Sequence, residues 1–347
     1  MDFKEHLIQY GSTIKSALAV LNRLGSDAIV FVVDVNTRLV GSLTDGDVRR
    51  GLLNGLNTDS NVELFLQRNP SFIRMEQYNI RDLIALRDKT FKVIPVLNKE
   101  DQVVNVINFR FMKSFLPVDS IIMAGGRGAR LSPMTDTIPK PLLRIGGKPI
   151  IQHKIEFIRR YGVSNFWLSI NYLGDQIEKH FGDGQDWGIN INYIREDKPL
   201  GTIGAVSQIT GLKHDHVLIS NSDILTTLDY EDFYLDFIES GADMAIASIP
   251  YTVDIPYAVL ETVNGEILSF KEKPSYTYYS NGGIYFLKRE VLEMIPKNSF
   301  FDATDLMTMM IAKGLKLTSY SMTNYWLDIG KPEDFAKANA DINHLDL

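Results

Sequence analysis

Hydrophobic and polar positions alternate between helical and strand spacing along the first third of the chain. Residues 14–24 have the apolar spacing of an amphipathic helix, and residues 28–33 form a short apolar run typical of a buried strand. A turn at residues 34–36 and a second strand at residues 39–43 follow. The same order of helix, strand, turn and strand recurs at residues 80–87, 93–97, 98–101 and 103–107. The pattern predicts an internal duplication.

The pattern changes near residues 115–118, after which strands alternate with longer helical segments. A helix is expected at about residues 151–161 and a strand at residues 165–170. This alternation predicts an α/β fold with a doubly wound, mostly parallel sheet that binds ligands at the carboxyl ends of its strands. Since 347 residues exceed the usual size of one core, we expect two domains, residues 1–116 and residues 117–347.

Composition narrows the classes of protein that fit. The net charge of −7 argues against a partner that is a nucleic acid, because such surfaces must neutralise phosphates. Cysteine is absent, which excludes disulfides and thiolate metal sites. No apolar run is long enough for a membrane span, and the first residues lack the pattern of a signal peptide. The expectation is a cytoplasmic protein with neither a nucleic-acid nor a membrane partner.

The segment I-I-M-A-G-G-R-G-A-R at residues 121–130 carries the clearest chemistry. An apolar strand runs into three glycines, which free the backbone to turn and to present N–H groups to an anion. Neither the dinucleotide fingerprint nor the P-loop pattern fits this spacing. Together with Lys140, the segment resembles the signature of the sugar-1-phosphate nucleotidyltransferases. The resemblance implies that Arg130 and Lys140 are catalytic cations and that the nucleotide is contacted by Ala124, Gly125, Gly126 and Gly128.

Two carboxylates follow strand patterns further along the chain. Asp223 ends the run at residues 217–223, and Asp328 lies in the W-x-D-I-G-x-P segment at residues 326–332. An Asp after a strand is often a turn residue. Nucleotidyl transfer, however, uses Mg²⁺ held by one or two carboxylates and phosphate oxygens. The segments that carry Asp223 and Asp328 are similar to those that carry the magnesium ligands of the sugar-1-phosphate nucleotidyltransferases, and this resemblance implies a magnesium site at the two residues.

These motifs occur in the order found in the sugar-1-phosphate nucleotidyltransferases, which residues 119–345 resemble. The resemblance implies a Rossmann-like domain that joins a nucleoside triphosphate to a sugar-1-phosphate and releases pyrophosphate, as in the synthesis of surface-glycan sugars. It also implies that Gly201 and Thr202 contact the nucleotide base. On the sugar-phosphate side it implies binding by Glu272, Lys273, Asn281 and Gly282.

The loop at residues 197–205 is similar to that of the guanylyltransferases for mannose- and heptose-1-phosphate, which favours GTP. A fused amino-terminal module is also similar to that of the glucosamine-1-phosphate guanylyltransferases of legionaminic acid synthesis. CTP, UTP, dTTP or ATP stay open as alternatives, and the sequence does not separate the three sugars. Two other classes share part of this pattern, a catalytically silent regulatory subunit and a nucleotide-sugar glycosyltransferase. The first would not need the full set of charged residues, and the second would lack the glycine segment with Arg130 and Lys140.

The duplicated segment, residues 1–116, resembles a tandem cystathionine β-synthase (CBS) module. In G-S-L-T-D-G-D at residues 41–47, the resemblance makes Thr44 and Asp47 candidates for a regulatory purine nucleotide. The competing interpretation is that Asp47 only caps the following helix. The second repeat reads V-I-N-F-R-F-M at residues 106–112 and lacks the matching Thr and Asp. We expect at most one ordinary site, and a module that regulates or dimerises a homo-oligomer.

Overall fold

The computed structural model describes residues 3–75, 79–89 and 91–347. It divides into two compact units, the first formed by residues 1–116 with residues 159–162 and the second by residues 117–158 with residues 163–347. Among the described residues, no helix is long and apolar enough to cross a membrane.

The first unit contains two three-stranded sheets of the same topology. Its strands are β1 (Leu7–Gln9), β2 (Ile29–Val33), β3 (Leu39–Thr44), β4 (Ile73–Arg74), β5 (Val93–Leu97) and β6 (Val103–Asn108). Its helices are α1 (Ile14–Leu24), α2 (Asp45–Leu53) and α3 (Ile80–Asp88). In each sheet the first two strands are parallel and the last two antiparallel. This agrees with the duplication expected from the sequence.

Buried apolar side chains join the two sheets of the first unit. Phe31 and Val33 of β2 pack with Val93 and Leu97 of β5 in one core cluster. Continuous apolar runs are expected for strands covered on both faces. The duplication therefore buries surface that neither half could bury alone.

The second unit is built on a seven-stranded sheet. Its strands, including those of small satellite sheets, are β7 (Val118–Met123), β8 (Arg144–Ile145), β9 (Lys148–Pro149), β10 (Asn165–Ile170), β11 (Asn190–Arg195), β12 (His216–Asn221), β13 (Ile224–Thr226), β14 (Met244–Asp254), β15 (Val259–Val263), β16 (Glu266–Lys271), β17 (Ser275–Lys288), β18 (Leu317–Ser321) and β19 (Trp326–Asp328). Its helices are α4 (Ile150–Arg159), α5 (Gly174–Phe181), α6 (Tyr230–Ser240), α7 (Ala303–Ala312) and α8 (Pro332–Asp341).

The large sheet has the order β11, β10, β7, β12, β17, β14, β18, and only β17 runs antiparallel to its neighbours. The expectation of an α/β domain with a mostly parallel sheet is confirmed. Its core consists of apolar side chains such as Ile121, Val217 and Leu287, which pack with Leu306 of α7. The carboxyl ends of β11, β10, β7 and β12 lie at one edge, which we call the carboxyl edge.

One buried position departs from this apolar pattern. Lys154 of α4 is 5% exposed, and its Nζ donates to the Ser220 hydroxyl of β12 at 2.9 Å. Burial lowers the pKa of Lys154 to about 7, against the opposing attraction of Asp223. Because the unfolded chain still binds this proton between pH 7 and 10.5, the native state gains stability as the pH rises through that window.

Lys154→Met should therefore raise the free energy of unfolding at pH 7 by about 1 to 4 kcal/mol, since an apolar side chain of similar length replaces a desolvated ammonium. The difference from the unmodified protein should shrink as the pH approaches 10. Urea unfolding at several pH values measures both effects. Ser220→Ala is the control, because it removes the hydrogen bond but keeps the charge and its pH dependence. A Lys154→Met protein that is less stable at pH 7 would contradict the prediction.

Candidate active site

Parallel pairing of β7 with β12 brings two of the sequence motifs together at the carboxyl edge. Met123 lies opposite Asn221, and the Ser222 amide donates to the Met123 carbonyl at 3.1 Å. The loop after β7 and the carboxylate after β12 therefore start from adjacent points. We call residues 124–130 the glycine loop.

The glycine loop needs its glycines at two positions for different reasons. Gly128 has a φ of +67°, and a Cβ there would lie 2.8 Å from the Cβ of Lys140. A Cβ on Gly125 would lie 2.7 Å from Oε1 of Glu196. Gly128 therefore tolerates no side chain, whereas a side chain at Gly125 would have to displace the carboxylate of Glu196. The loop is anchored at Ala124, whose buried amide donates to the Ser169 carbonyl at 2.8 Å.

Four charged side chains converge beside the glycine loop. Lys140 is 8% exposed, and its Nζ donates to Oδ2 of Asp223. Asp328 lies at the end of β19 and pairs with Ile224, the residue after Asp223. The guanidinium of Arg130 lies against the backbone two residues past Asp328, since a Cβ on Gly330 would be 3.2 Å from Nη2. The fold thus unites residues that are up to 198 positions apart in the sequence.

Charge in this group is balanced between carboxylates and cations. Burial raises the pKa of Asp328, and the neighbouring negative charge of Asp223 raises it further, whereas Lys140 and Arg130 oppose the shift. Oδ1 of Asp328 is buried without a hydrogen-bond partner among the described residues. An unpartnered carboxylate oxygen next to a second carboxylate suits a hard divalent cation that takes its other ligands from phosphate and water. The residues fit such an ion.

The described residues contain no group of three or more His, Cys, Asp or Glu side chains that could hold a metal. A two-carboxylate site differs from such an all-protein cage. Mg²⁺ typically binds one or two carboxylates together with substrate phosphates. Asp223 and Asp328 match that simpler pattern.

A cavity of about 320 Å³ opens next to Asp328. Its walls include three other residues that the sequence singled out, namely Thr202, Asn281 and Gly282. Asn281 donates to the Tyr285 hydroxyl at 2.9 Å, and the Trp326 indole donates to the Gly282 carbonyl at 3.0 Å. Thr202 therefore lies with the residues expected on the sugar side, although the sequence grouped it with those for the nucleotide base.

Gly201 precedes Thr202 and adopts a φ of +80°. A Cβ on Gly201 would lie 2.7 Å from the Phe301 carbonyl oxygen. This contact packs residues 197–205, the base loop, against the segment before α7. Only glycine permits that approach without strain.

Glu272 and Lys273 lie outside the cavity walls. They belong to residues 249–281, an extension of β14 and β17 that carries the β15/β16 hairpin and that we call the arm. Ser275 is the first residue of β17 and lies six residues before Asn281. Six residues of extended strand span about 20 Å, so the Ser275 end of the arm is far from the cavity wall. The arm is mostly exposed on both faces.

Two carboxylates at the carboxyl edge were not predicted from the sequence. Glu196 follows β11, and its oxygens accept the Ser169 hydroxyl at 2.5 Å and the Leu200 amide at 3.0 Å. Asp302 precedes α7 and lines the cavity. Glu196 directly follows the last residue of a strand, the same signal that identified Asp223. Asp302 has no comparable signal, since its position depends on the contact between α7 and the base loop.

In the first unit, Thr44 and Asp47 form a capping box at the start of α2. Oδ2 of Asp47 accepts the Thr44 amide at 2.8 Å and the Thr44 hydroxyl at 2.6 Å, and its other oxygen pairs with Arg50. The helix begins at Asp45, three residues earlier than the sequence pattern predicted. A cavity of about 510 Å³ in this unit is lined instead by residues that include Asp27, Phe109 and Arg110. Binding of a nucleotide by Thr44 and Asp47 stays a prediction.

The family model for nucleotidyl transferases and the relatives described next each match about two thirds of the chain. The chain is 32% identical over 232 residues to the mannose-1-phosphate guanylyltransferase of Mycobacterium tuberculosis, which covers 65% of this chain and 64% of the relative. It is 32% identical over 239 residues to the UTP–glucose-1-phosphate uridylyltransferase of Synechocystis, covering 63% and 62%. The chain thus spans less than two thirds of the length of these relatives.

A solved structure extends the comparison to the fold. The crystal structure of HddC from Yersinia pseudotuberculosis superposes with a TM-score of 0.52 and 28% identity, covering 65% of this chain and 99% of that one. The family model for nucleotidyl transferases matches residues 119–344, well over half of the 347 residues. With the glycine loop, the two carboxylates and the mostly parallel sheet in place, the chain belongs to the nucleotidyl transferase family.

Proposed function

We propose that this protein is a sugar-1-phosphate nucleotidyltransferase that uses Mg²⁺. The observation that carries the proposal is the group formed by Lys140, Asp223 and Asp328 beside the glycine loop. It offers cations and backbone N–H groups for a triphosphate and two carboxylates for a metal, all at the edge where α/β sheets bind ligands. Its neighbouring cavity has room for a sugar.

The proposed reaction requires positioning and charge neutralisation more than proton transfer. An ionised phosphate oxygen of the sugar-1-phosphate attacks the α-phosphorus of the triphosphate. The bond from the α-phosphorus to the bridging oxygen then breaks, and pyrophosphate leaves. No general base is needed because the attacking oxygen carries no proton. Lys140 and Arg130 stabilise the charge that moves onto the leaving group.

Asp223 and Asp328 would hold the magnesium ion, which supplies neutralisation of charge at the α-phosphate when it is bound. Lys140 would then exchange its carboxylate partner for a substrate phosphate. This exchange keeps each buried charge paired, as the cost of an unpaired buried charge demands. The ion pair between Lys140 and Asp223 is thus a resting arrangement of the site.

We propose GTP as the nucleotide, on the basis of Glu196. In the sheet, Asp223 and the sugar cavity lie on the β12 side of the glycine loop, whereas Glu196 lies on the β11 side. A triphosphate on the loop with its α-phosphate towards Asp223 directs its base to that second side. A carboxylate has lone pairs left after two hydrogen bonds, and guanine offers its N1–H and N2–H donors side by side. Uracil, adenine and cytosine each place an acceptor next to their donor.

The sugar-1-phosphate would be bound by residues of both the cavity and the arm. Asn281 and Gly282 would contact the sugar ring directly, since both line the cavity. Glu272 and Lys273 would reach the sugar-1-phosphate only after the arm bends towards the cavity. The candidate sugars are glucosamine-, mannose- and heptose-1-phosphate.

We further propose that the first unit is a tandem CBS module that regulates or dimerises the enzyme. A purine nucleotide at Thr44 and Asp47 would have to displace the pairing of Asp47 with Arg50. A catalytically silent subunit is disfavoured, because Arg130, Lys140, Asp223 and Asp328 are all present and adjacent.

Asp223→Asn and Asp328→Asn should each lower turnover about 10²-fold or more, because the amide removes the charge that binds the metal. Pyrophosphate release at limiting Mg²⁺ measures the loss, and circular dichroism reports the fold. Asp215→Asn is the matched control, since Asp215 lies at the opposite end of β12 and pairs with Arg289. Near-normal turnover of either site variant would remove that residue from the proposed metal site.

Glu196→Gln should weaken discrimination between GTP and ITP, which lacks the N2 amino group. One hydrogen bond to a charged group is worth about 1.5 to 3 kcal/mol, so the unmodified enzyme should prefer GTP in kcat/KM by about 10-fold or more. The variant should lower this preference at least threefold. Asp197→Asn, which alters the adjacent exposed carboxylate, should leave it unchanged. An enzyme that prefers UTP, or an unchanged preference in Glu196→Gln, would refute the assignment of Glu196.

Lys273→Ala should raise the KM for sugar-1-phosphate about 10-fold or more and leave the KM for the nucleotide within about threefold, because its ammonium would face only the sugar phosphate. Lys271→Ala tests whether any cation of the arm has this effect, since Lys271 pairs with Glu261 within the arm. Equal changes for both substrates, or in both variants, would mean that Lys273 does not bind the sugar phosphate.

A further inference from the structure

The arm, residues 249–281, exposes both apolar side chains and backbone. Nine of its large apolar or aromatic side chains are more than half exposed, as is typical of a surface that binds another protein. β18 pairs with β14 only as far as Ser248, and β12 pairs with β17 only from Ile284 onwards. No further strand among the described residues extends the two edges of the arm. A free edge is a template for another strand, and a two-stranded ribbon gains stability from one.

The two edges of the arm differ in their capacity to pair. On the β14 edge, Pro250 has no N–H to donate and Asp254 is charged, and both features hinder pairing at an edge. On the other edge, residues 275–281 read S-Y-T-Y-Y-S-N, and we call them the β17 edge. This edge contains no proline and no charge, and its aromatic and β-branched residues favour strand pairing. The β17 edge is therefore the one that is open to a second strand.

Pro250 also shows which backbone groups of the β17 edge are free. It lies opposite Tyr279, and because proline cannot donate, the two do not form a hydrogen-bonded pair. Hydrogen-bonded pairs alternate with pairs of this kind, so the N–H and C=O of Ser275, Thr277 and Tyr279 point away from β14. These residues are spaced evenly about Thr277. A second copy of the edge, running antiparallel with Thr277 opposite itself, therefore meets each donor with an acceptor and brings no like charges together.

A second copy in this register would lie directly beyond β12. Both β12 and the second copy run antiparallel to β17, on the same side of it. The second copy therefore begins where β12 ends, close to Asp223. Counting from Thr277, Lys273 of the second copy lies opposite Asn281, which lines the cavity beside Asp328. Pairing of two copies thus brings the ammonium of one to the cavity of the other.

We propose that two copies of this chain pair through the β17 edge and that Lys273 of each copy binds the sugar-1-phosphate in the cavity of the other. The inference rests on the proposed nucleotidyl transfer and specifies where one of its cations comes from. A single chain would have to bend its arm to bring Lys273 to its own cavity. The cavity needs such a cation, because its described lining residues include Asp302 and Asp328 but no Lys or Arg. Pairing supplies the cation and covers part of the exposed arm.

Thr277→Cys tests the pairing, because the chain contains no cysteine of its own. Opposite residues of a hydrogen-bonded antiparallel pair have Cα atoms about 5.5 Å apart, which suits a disulfide. Mild oxidation of the full-length variant should therefore link most chains into covalent dimers on a non-reducing gel.

Thr252→Cys is the matched control. Thr252 lies opposite Thr277, with the two hydroxyls 3.2 Å apart, but on the edge that contains Pro250. This variant should stay monomeric on the same gel. Equal cross-linking of the two variants, or none in Thr277→Cys, would overturn the proposal.

Mixed dimers test whether Lys273 acts on the other copy. If it does, a dimer of one Lys273→Ala chain and one Asp223→Asn chain contains one site with both residues intact. Random pairing of equal amounts of the two variants then restores about a quarter of the unmodified turnover, because about half of the dimers are mixed and each has one working site. Turnover is measured well below the KM for sugar-1-phosphate, where each variant alone should have about a tenth of the activity or less.

Asp223→Asn mixed with Asp328→Asn is the control for this experiment, since both carboxylates belong to one chain and no mixed dimer contains a complete site. It should show no restoration. If turnover of the Lys273→Ala and Asp223→Asn mixture only equals the average of the two variants, Lys273 acts within its own chain and the proposal is wrong. Failure of every nucleotide and sugar pair to release pyrophosphate would contradict the proposed reaction, while disulfide formation by Thr277→Cys would still decide the pairing.

Discussion

Parallel pairing between β7 and β12 is the constraint on which the site depends. It places the end of one strand, where the glycine loop begins, directly beside the end of the other, where Asp223 follows. Parallel strands put all their carboxyl ends at one edge, so backbone donors and carboxylates gather there without any local sequence relation. Antiparallel β17 then brings Asn281 and Gly282 to the same edge from the opposite direction. One reversed strand thus adds a wall of the cavity to the edge that carries the glycine loop.

Charge pairing explains how this site is stable before substrates arrive. The ammonium of Lys140 and the carboxylate of Asp223 are both groups that would bind other partners during the proposed reaction. Paired with each other, neither is a buried charge without a counterion. Asp328 has no such donor for its buried oxygen, and burial beside Asp223 raises its pKa. Asp328 therefore destabilises the site when no cation is bound, and a divalent cation would offset that effect.

The order of strands also separates the recognition tasks that we propose. Glu196 after β11 and the cavity beside β17 lie on opposite sides of the glycine loop, so the base and the sugar would be read by different elements. Asp302 and Thr202 connect the two sides, since the base loop is hydrogen-bonded to the start of α7. A change in residues 197–205 can therefore shift the wall of the cavity.

The spacing of apolar and polar residues in the sequence determined which segments form helices and strands. Helical and alternating spacing gave the duplicated first segment and the α/β character of the second, because these periods reflect which side of an element is buried. Glycines followed by cations marked the glycine loop, and strand-ending carboxylates marked Asp223. Only the tertiary structure decided which distant groups meet. Long-range contacts joined Lys140 to Asp223, placed Thr202 in the wall of the cavity, and kept Glu272 and Lys273 on the arm. Asp302 acquired its position from contact between a loop and a helix 100 residues away, and such a contact has no periodicity that a sequence can display.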